Sequence, residues 1–284
     1  MRRALSQPRF EKIEVVDGRI WGIPSKQTYD PFDRFEQGMA PHLAFANAKD
    51  PWEWHKTYGP LFGFTSAYSS SANAFLAAQR RFVSVLNLWQ VWGGDRHQDI
   101  RECFCRAVAE TGCLALPEKP GKPGKSVYGL NPDWNAETRG ETLDENAERP
   151  IDNSHCAAAE EFAGSESLQD LRSASEELLK LILAGRLENV QPIFLDEKGF
   201  EASWVVGNFL EACYLMLFYD MARKKTTRCC AECGQFFYPA SKRPRSCSSD
   251  CARKKRQRRY WKRRGKSMRK KRRNQTTKIK GEQA

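Results

Sequence analysis

Four cysteines stand in two close pairs, Cys230-Ala-Glu-Cys233 and Cys247-Ser-Ser-Asp-Cys251, with thirteen residues between the pairs. Each pair can present two thiolates from one tight turn, and the intervening segment is long enough to fold back. Cys230, Cys233, Cys247 and Cys251 can therefore close a tetrahedron around Zn²⁺, and they are the predicted metal ligands. Cys229 offers a second register, Cys229-x3-Cys233, as an exchangeable neighbour of the preferred Cys230. A redox role for Cys-Ala-Glu-Cys is disfavoured: the strand before and helix directly after the first pair that a thioredoxin site needs are missing, and a second pair matches the first. Cys103, Cys105, Cys113, Cys156 and Cys213 are read as buried apolar residues. On a helix Cys103 and Cys105 would point about 200° apart, which separates them as chelators.

Local signals say how the ligands would be positioned. Gly234 can take the left-handed conformation that turns backbone amides toward the sulfurs of a knuckle. Phe236-Phe-Tyr238 reads as a strand, Pro239 to Pro244 as a polar turn, and Arg245-Ser-Cys247 as a return strand. Ser248 is a good N-cap, so Cys251 falls in the first turn of the next helix, where the macrodipole favours a thiolate. Knuckle, hairpin and helix predict a treble-clef-like zinc finger. Its apolar core is too small to fold alone, so Zn²⁺ would supply much of its stability.

A dense cationic run follows the last ligand. Residues 252–273 hold 15 Lys/Arg in 22 positions, interrupted by Tyr260 and Trp261. From residue 223 onward 24 basic residues face 3 acidic ones, a balance of +21. The first 222 residues carry 23 against 32, or −9, which together make the net +12. A charge run is commonly only a solvated face, but at this density beside a metal module it predicts a polyanion partner, above all nucleic acid. The candidate contacts are Arg243, Arg245, Arg253, Lys254, Lys255, Arg256, Arg258, Arg259, Tyr260, Trp261, Lys262, Arg263 and Arg264. Asparagine and glutamine are sparse, so phosphate contacts are expected rather than a base-reading code. The two aromatics would either stack on bases or pack back on the finger.

The remainder is a mildly acidic body. With 40% hydrophobic and 11% aromatic residues over 284 positions, the chain can bury a core in one or two domains. The start, Met1-Arg-Arg-Ala-Leu-Ser, is basic without an apolar stretch, so no signal peptide is predicted, and the crowding of cysteines into 229–251 favours a reducing, cytoplasmic setting. Ile13 to Val16 and Arg19 to Trp21 around Asp17-Gly18 predict a β-hairpin. Prolines 24, 31, 41, 51 and 60 break residues 24–65 into short pieces, in which His42 and His55 are read as surface or packing histidines. A helix is predicted from about Ser71 to Trp92 on Phe75, Phe82, Leu86 and Trp89. A second is predicted from an Asp95 cap through Ile100, Phe104, Ala107 and Val108 to Gly112. Residues 114–163, rich in proline, glycine and charge, read as a flexible insertion. Gly121-Lys-Pro-Gly124 and Gly124-Lys-Ser126 are not a phosphate loop, since no apolar strand precedes them. Leu168, Leu171, Leu178 and Ile182 give a further helix ending near Gly185. Val190 to Leu195 and Phe200 to Ala202 give a second hairpin with Pro192 at its edge. Trp204 to Met221 reads as a buried helix, because Asn208, Glu211 and Asp220 interrupt it too often for a membrane span.

The expected fold class is thus a mainly α body with short β-hairpins (α+β) and a small C-terminal finger. The domains are 1–113 with 164–222 as body, 114–163 as linker, 223–264 as finger and 265–284 as a disordered basic tail. This layout, with Cys233, Phe236, Arg245-Ser-Cys247-Ser248 and Cys251-Ala-Arg-Lys254 in matching places, resembles the CGNR-type zinc-finger proteins and their amino-terminal ABATE domain. Here the naming tetrad reads Cys-Ala-Arg-Lys and the final pair is spaced x3; the finger match covers about forty residues and the body matches only in layout. The resemblance implies a bacterial, nucleoid-associated transcriptional regulator, with the finger on DNA and the body as a sensor of stress or of a ligand whose identity the sequence does not give. The same module could serve an RNA- or ribosome-associated protein. A treble-clef nuclease needs histidines beside the finger, and His42, His55, His97 and His155 all precede it, so no enzymatic activity is expected.

Overall fold

Asp17 takes a φ of 50°, and the apolar runs on either side of it pair as antiparallel strands, β1 (Gln7–Val16) and β2 (Arg19–Tyr29), with Val16 opposite Arg19. A positive φ there is what an Asp-Gly turn requires, and the predicted hairpin forms. The computed structural model describes residues 7–17, 19–32, 40–62, 68–116, 127–129, 153–195, 201–239 and 246–281, so Gly18 lies outside the described residues. Two compact units divide the chain after Lys225.

In the first unit, β3 (Tyr68–Ser71) adds to β2 to complete a three-stranded sheet of order β1-β2-β3. The proline-rich segment folds in short pieces, as expected. Pro41 and Pro51 open α1 (Pro41–Ala46) and α2 (Pro51–Tyr58), where a missing backbone N–H costs nothing. The Ser71 hydroxyl accepts from Ala74 N at 2.9 Å and starts α3 (Ala72–Val91), which buries Phe75, Phe82 and Leu86; Trp89 is half-buried. The next helix, α4 (His97–Thr111), buries Ile100, Phe104, Ala107 and Val108 and ends at Gly112 with φ 66°. Its predicted cap is corrected. Asp95 lies one residue too early, and its carboxylate instead meets Arg172 at 2.9 Å.

The flexible-insertion boundaries also shift. Leu114–Leu116 (β4) pairs with Val127–Gly129 (β5), and α5 (Asn153–Ser165) packs on α4 with Ala159, Phe162 and Ala163 buried. The small buried residues Ala159 and Ala163 let α5 approach closely, and nearby prolines and charges mask that signal. Residues 117–126 and 130–152 lie outside the described residues. The helix predicted next is α6 (Leu168–Arg186), capped by Ser167, with Leu171, Leu178 and Ile182 buried. The second hairpin is β6 (Gln191–Leu195) with β7 (Glu201–Val205), Pro192 opposite Trp204.

The predicted helix from Trp204 begins later than expected. Trp204 and Val205 belong to β7, and α7 runs Phe209–Ala222 because the Asn208 side chain accepts from Glu211 N at 2.9 Å. In return the Glu211 carboxylate accepts from Gly207 N at 2.8 Å and Asn208 Nδ2 at 3.0 Å, a reciprocal cap. From Phe209 to Leu217 every residue of α7 is buried. Around it lies an aromatic core: Trp54 meets Phe209 at 5.0 Å between ring centroids, Phe82 meets Tyr214 at 5.1 Å, and Phe45 meets Phe75 at 5.3 Å. Edge-on geometry in all three suits the ring quadrupoles. No helix among the described residues is long and apolar enough to cross a membrane.

The second unit holds β8 (Arg228–Cys229), β9 (Phe236–Phe237) and α8 (Ser249–Gly281). Two expectations change here. Among the described residues Phe236-Phe237 pairs with Arg228-Cys229, and Ser246 to Ser248 form a bend where a return strand is expected; most of the predicted turn (240–244) and Arg245 lie outside the described residues. The residues predicted as a disordered tail continue α8 as far as Gly281, since lysine and arginine are good helix formers even where their charges repel.

Candidate metal centre

Cys229 and Phe236 pair across the two strands, and this short ladder brackets the first cysteine pair. Cys230 N donates to the Gln235 carbonyl at 2.8 Å, and Gly234 N to the Cys230 carbonyl at 2.8 Å, with Gly234 at φ 74°. The knuckle anticipated at Gly234 is therefore present, and the positive φ explains why glycine stands there. At the other pair, Ser248 caps α8: its hydroxyl accepts from Cys251 N at 3.2 Å and its carbonyl from Ala252 N at 3.0 Å. That fixes Cys251 in the first helical turn.

The ligand atoms converge. The sulfurs of Cys230, Cys233, Cys247 and Cys251 all lie within 4.8 Å of one another, with Cys233 to Cys247 at 3.4 Å and Cys247 to Cys251 at 3.7 Å. A tetrahedron with metal–sulfur bonds of ~2.3 Å has edges of about 3.8 Å, so these four could hold a metal ion. Cys230 is buried, Cys247 and Cys251 are half-buried, and Cys233 is exposed. Cys229 takes a different place. Its thiol points to the Gly234 carbonyl at 3.1 Å, outside the cluster, which resolves the register toward Cys230.

Electrostatics agree with a cation site. Burial works against charge on Cys230, but backbone N–H groups of Cys247, Glu232 and Cys233 stabilise its thiolate and bring its pKa down to about 6. Cys247 is pushed up to about 12, first by burial and then by hydrogen bonds with its cysteine neighbours. Four sulfurs cannot share so small a volume as thiolates by themselves, whereas a divalent cation at their centre stabilises all four charges.

Glu232, inside the first pair, was not singled out from sequence. Its largely buried carboxylate meets Arg258 at 3.2 Å and ties the knuckle to the third turn of α8. Among the described side chains of this helix, Cys251, Ala252 and Lys255 are the partly covered ones, on the side that carries the cluster cysteine. Arg253, Lys254, Arg256, Arg258, Arg259, Tyr260, Trp261, Lys262, Arg263 and Arg264 are exposed; Arg243 and Arg245 lie outside the described residues.

In the body, His42 and His55, read as surface or packing histidines, are both buried. His42 Nε2 lies 3.0 Å from Asp220 Oδ2, joining α1 to α7 across 178 positions, and His55 Nδ1 donates to the Pro51 carbonyl at 2.6 Å. Burial lowers the pKa of both, that of His55 to about 4. No spacing rule could have linked His42 to Asp220.

No family model, curated protein or solved structure matches the chain.

Proposed function

We propose that the chain is a zinc-dependent nucleic-acid-binding protein, with a DNA-binding transcriptional regulator as the leading reading. The carrying observation is that Cys251, one of the four clustered cysteines, lies in the first turn of α8, which from Arg253 to Arg264 then presents a dense run of exposed cations. A metal at the four sulfurs would fix the start of this helix, and Zn²⁺ suits an all-thiolate tetrahedral site with no open position. Such a site is structural rather than catalytic, which supports a binding protein over a hydrolase. The knuckle followed by a ligand-bearing helix is compatible with a treble clef, and the resemblance to CGNR-type proteins assigns the body the part of sensor.

The test is affinity for duplex DNA against salt. Each phosphate neutralised by a lysine or arginine releases counterions, so a contact set of six to ten predicts a loss of roughly a thousandfold or more between 50 and 200 mM salt. A response that is flat over this range would reject the reading. An RNA-associated role is the second reading, and the exposed Tyr260–Trp261 step favours it, because unpaired bases offer faces on which such rings stack.

A further inference from the structure

Tyr260 and Trp261 are 54% and 56% exposed, in a stretch of the helix, Arg253 to Arg264, whose other exposed side chains are all cationic except Gln257. The alternative of packing back on the finger is not what the rings do. They contact each other, centroids 5.5 Å apart and edge to face, and Arg264, whose guanidinium donates to the Tyr260 hydroxyl at 3.2 Å and sits 5.8 Å from the Trp261 ring. Helical spacing places Arg253, Arg256, Gln257, Tyr260 and Arg264 on one stripe, opposite the side that carries Cys251, and Trp261 beside it. Arg253, Arg256, Gln257 and Tyr260 also line one shallow surface depression. Arg258, by contrast, is engaged by Glu232, so the ion pair that braces the helix and the aromatic stripe use different residues.

We infer that this stripe binds nucleic acid through unpaired bases, with Tyr260 and Trp261 stacking on base faces while Arg253, Arg256 and Arg264 hold the flanking phosphates. The inference rests on the nucleic-acid reading above and deepens it by naming the form of the ligand. Its physical basis is a mismatch between these rings and a duplex. In B-form DNA the base faces are occupied by their neighbours, and only groove edges and phosphates meet a helix laid on the surface. Phosphate contacts need cations alone, so two large aromatics kept in water beside them would contribute little to duplex binding. On a single strand each ring finds a base face, with the same cations placed for the backbone. An anionic membrane surface could use the same cations, but a helix that lies in a bilayer interface needs an apolar face several turns long. From Ser249 to Arg264 this helix has Tyr260 and Trp261 and otherwise only Cys251 and Ala252 as apolar side chains, near the metal-ligand end.

The experiment uses the full-length, zinc-loaded protein and fluorescence anisotropy. The probes are a labelled DNA strand of about 20 nucleotides, the RNA strand of the same sequence, the corresponding DNA duplex, and vesicles of anionic phosphatidylglycerol. The paired substitution Tyr260→Ala with Trp261→Ala is expected to weaken single-strand binding by about tenfold or more, to leave duplex binding within about twofold, and to leave the salt slope unchanged. Arg253→Gln with Arg256→Gln is expected to weaken all nucleic-acid probes and to reduce the salt slope. Zinc content and helical circular dichroism identify any variant that has lost its fold, and Tyr260→Phe with Trp261→Phe, which keeps both rings, must restore single-strand affinity. Comparing DNA with RNA strands assigns the sugar. Equal losses on duplex and single strand, no loss on either, or tighter binding to vesicles than to both strands would overturn the inference. Wild-type protein that binds duplex but shows no aromatic-dependent single-strand term defeats this inference alone, whereas failure to bind any nucleic acid defeats the parent reading.

Discussion

His55 lies in α2 against Trp54, edge-on, and Phe75, tilted, and burial holds its pKa near 4. The folded protein therefore keeps it neutral down to that pH, while the unfolded chain protonates it near the ordinary value of about 6.5. Because the unfolded state binds the extra proton, stability is full above about pH 6.5 and falls as pH drops toward 4, by about 3 kcal/mol in all. Burial of His42 acts in the same direction, against the opposing pull of Asp220. Urea unfolding of wild type and His55→Phe at pH 7.5 and 5.0 checks this: the variant's stability should decline less between the two pH values. Equal declines would show that another group carries the pH dependence. At this scale the cysteine cluster is legible, because two short spacings and a glycine encode it locally. Glu232 with Arg258, and His42 with Asp220, were not, because each pair is made by chain folding back rather than by any spacing.

At the scale of elements, caps decided where periodicity misled. Apolar content runs on from Trp204, yet the hydrogen bonds of Asn208 and Glu211 start α7 only at Phe209 and leave Trp204 to pair with Pro192 in a hairpin. Asn208→Ala removes the acceptor for Glu211 N and leaves the buried Glu211 carboxylate without one of its donors. It should cost roughly 1–2 kcal/mol in urea unfolding, and Asn208→Asp should not serve as a rescue, because a second carboxylate would face Glu211. An alanine variant as stable as wild type would mean that tertiary packing alone places the start of α7. Burial also raises the pKa of Glu211, and the Gly207 and Asn208 donors oppose that rise. The same lesson holds for α5. Its alanines carry no strong periodic signal, and only the surface of α4 reveals which side they bury.

At the scale of the molecule, the two units are stabilised by different means. The body has an aromatic and aliphatic core around α7, whereas among the described residues of the second unit only Thr227, Cys230 and Phe236 are buried. So small a core cannot offset the entropy of ordering the chain, and a metal ion held at the four sulfurs would add its binding free energy to folding. A zinc chelator, or Cys230→Ser, should expose residues 226–284 to limited proteolysis and reduce helical circular dichroism, while the body retains its cooperative unfolding transition. Cys229→Ser should do neither, because its thiol lies outside the cluster. Retention of full protease resistance after chelation would show that the four sulfurs are not what holds this unit together.

The sequence by itself determined the four cysteines that could hold a metal ion, the charge split between body and tail, the first hairpin, and the faces of α3, α4 and α6. Each of these is written in contacts between residues a few positions apart, or in summed charge, so no knowledge of the fold is needed. Only the tertiary structure decided that β9 pairs back across the knuckle, that Glu232 braces α8, that His42 meets Asp220, and that Tyr260 and Trp261 remain in water. Those outcomes depend on which surfaces long-range folding covers, and burial of one residue by another distant in sequence leaves no periodic trace.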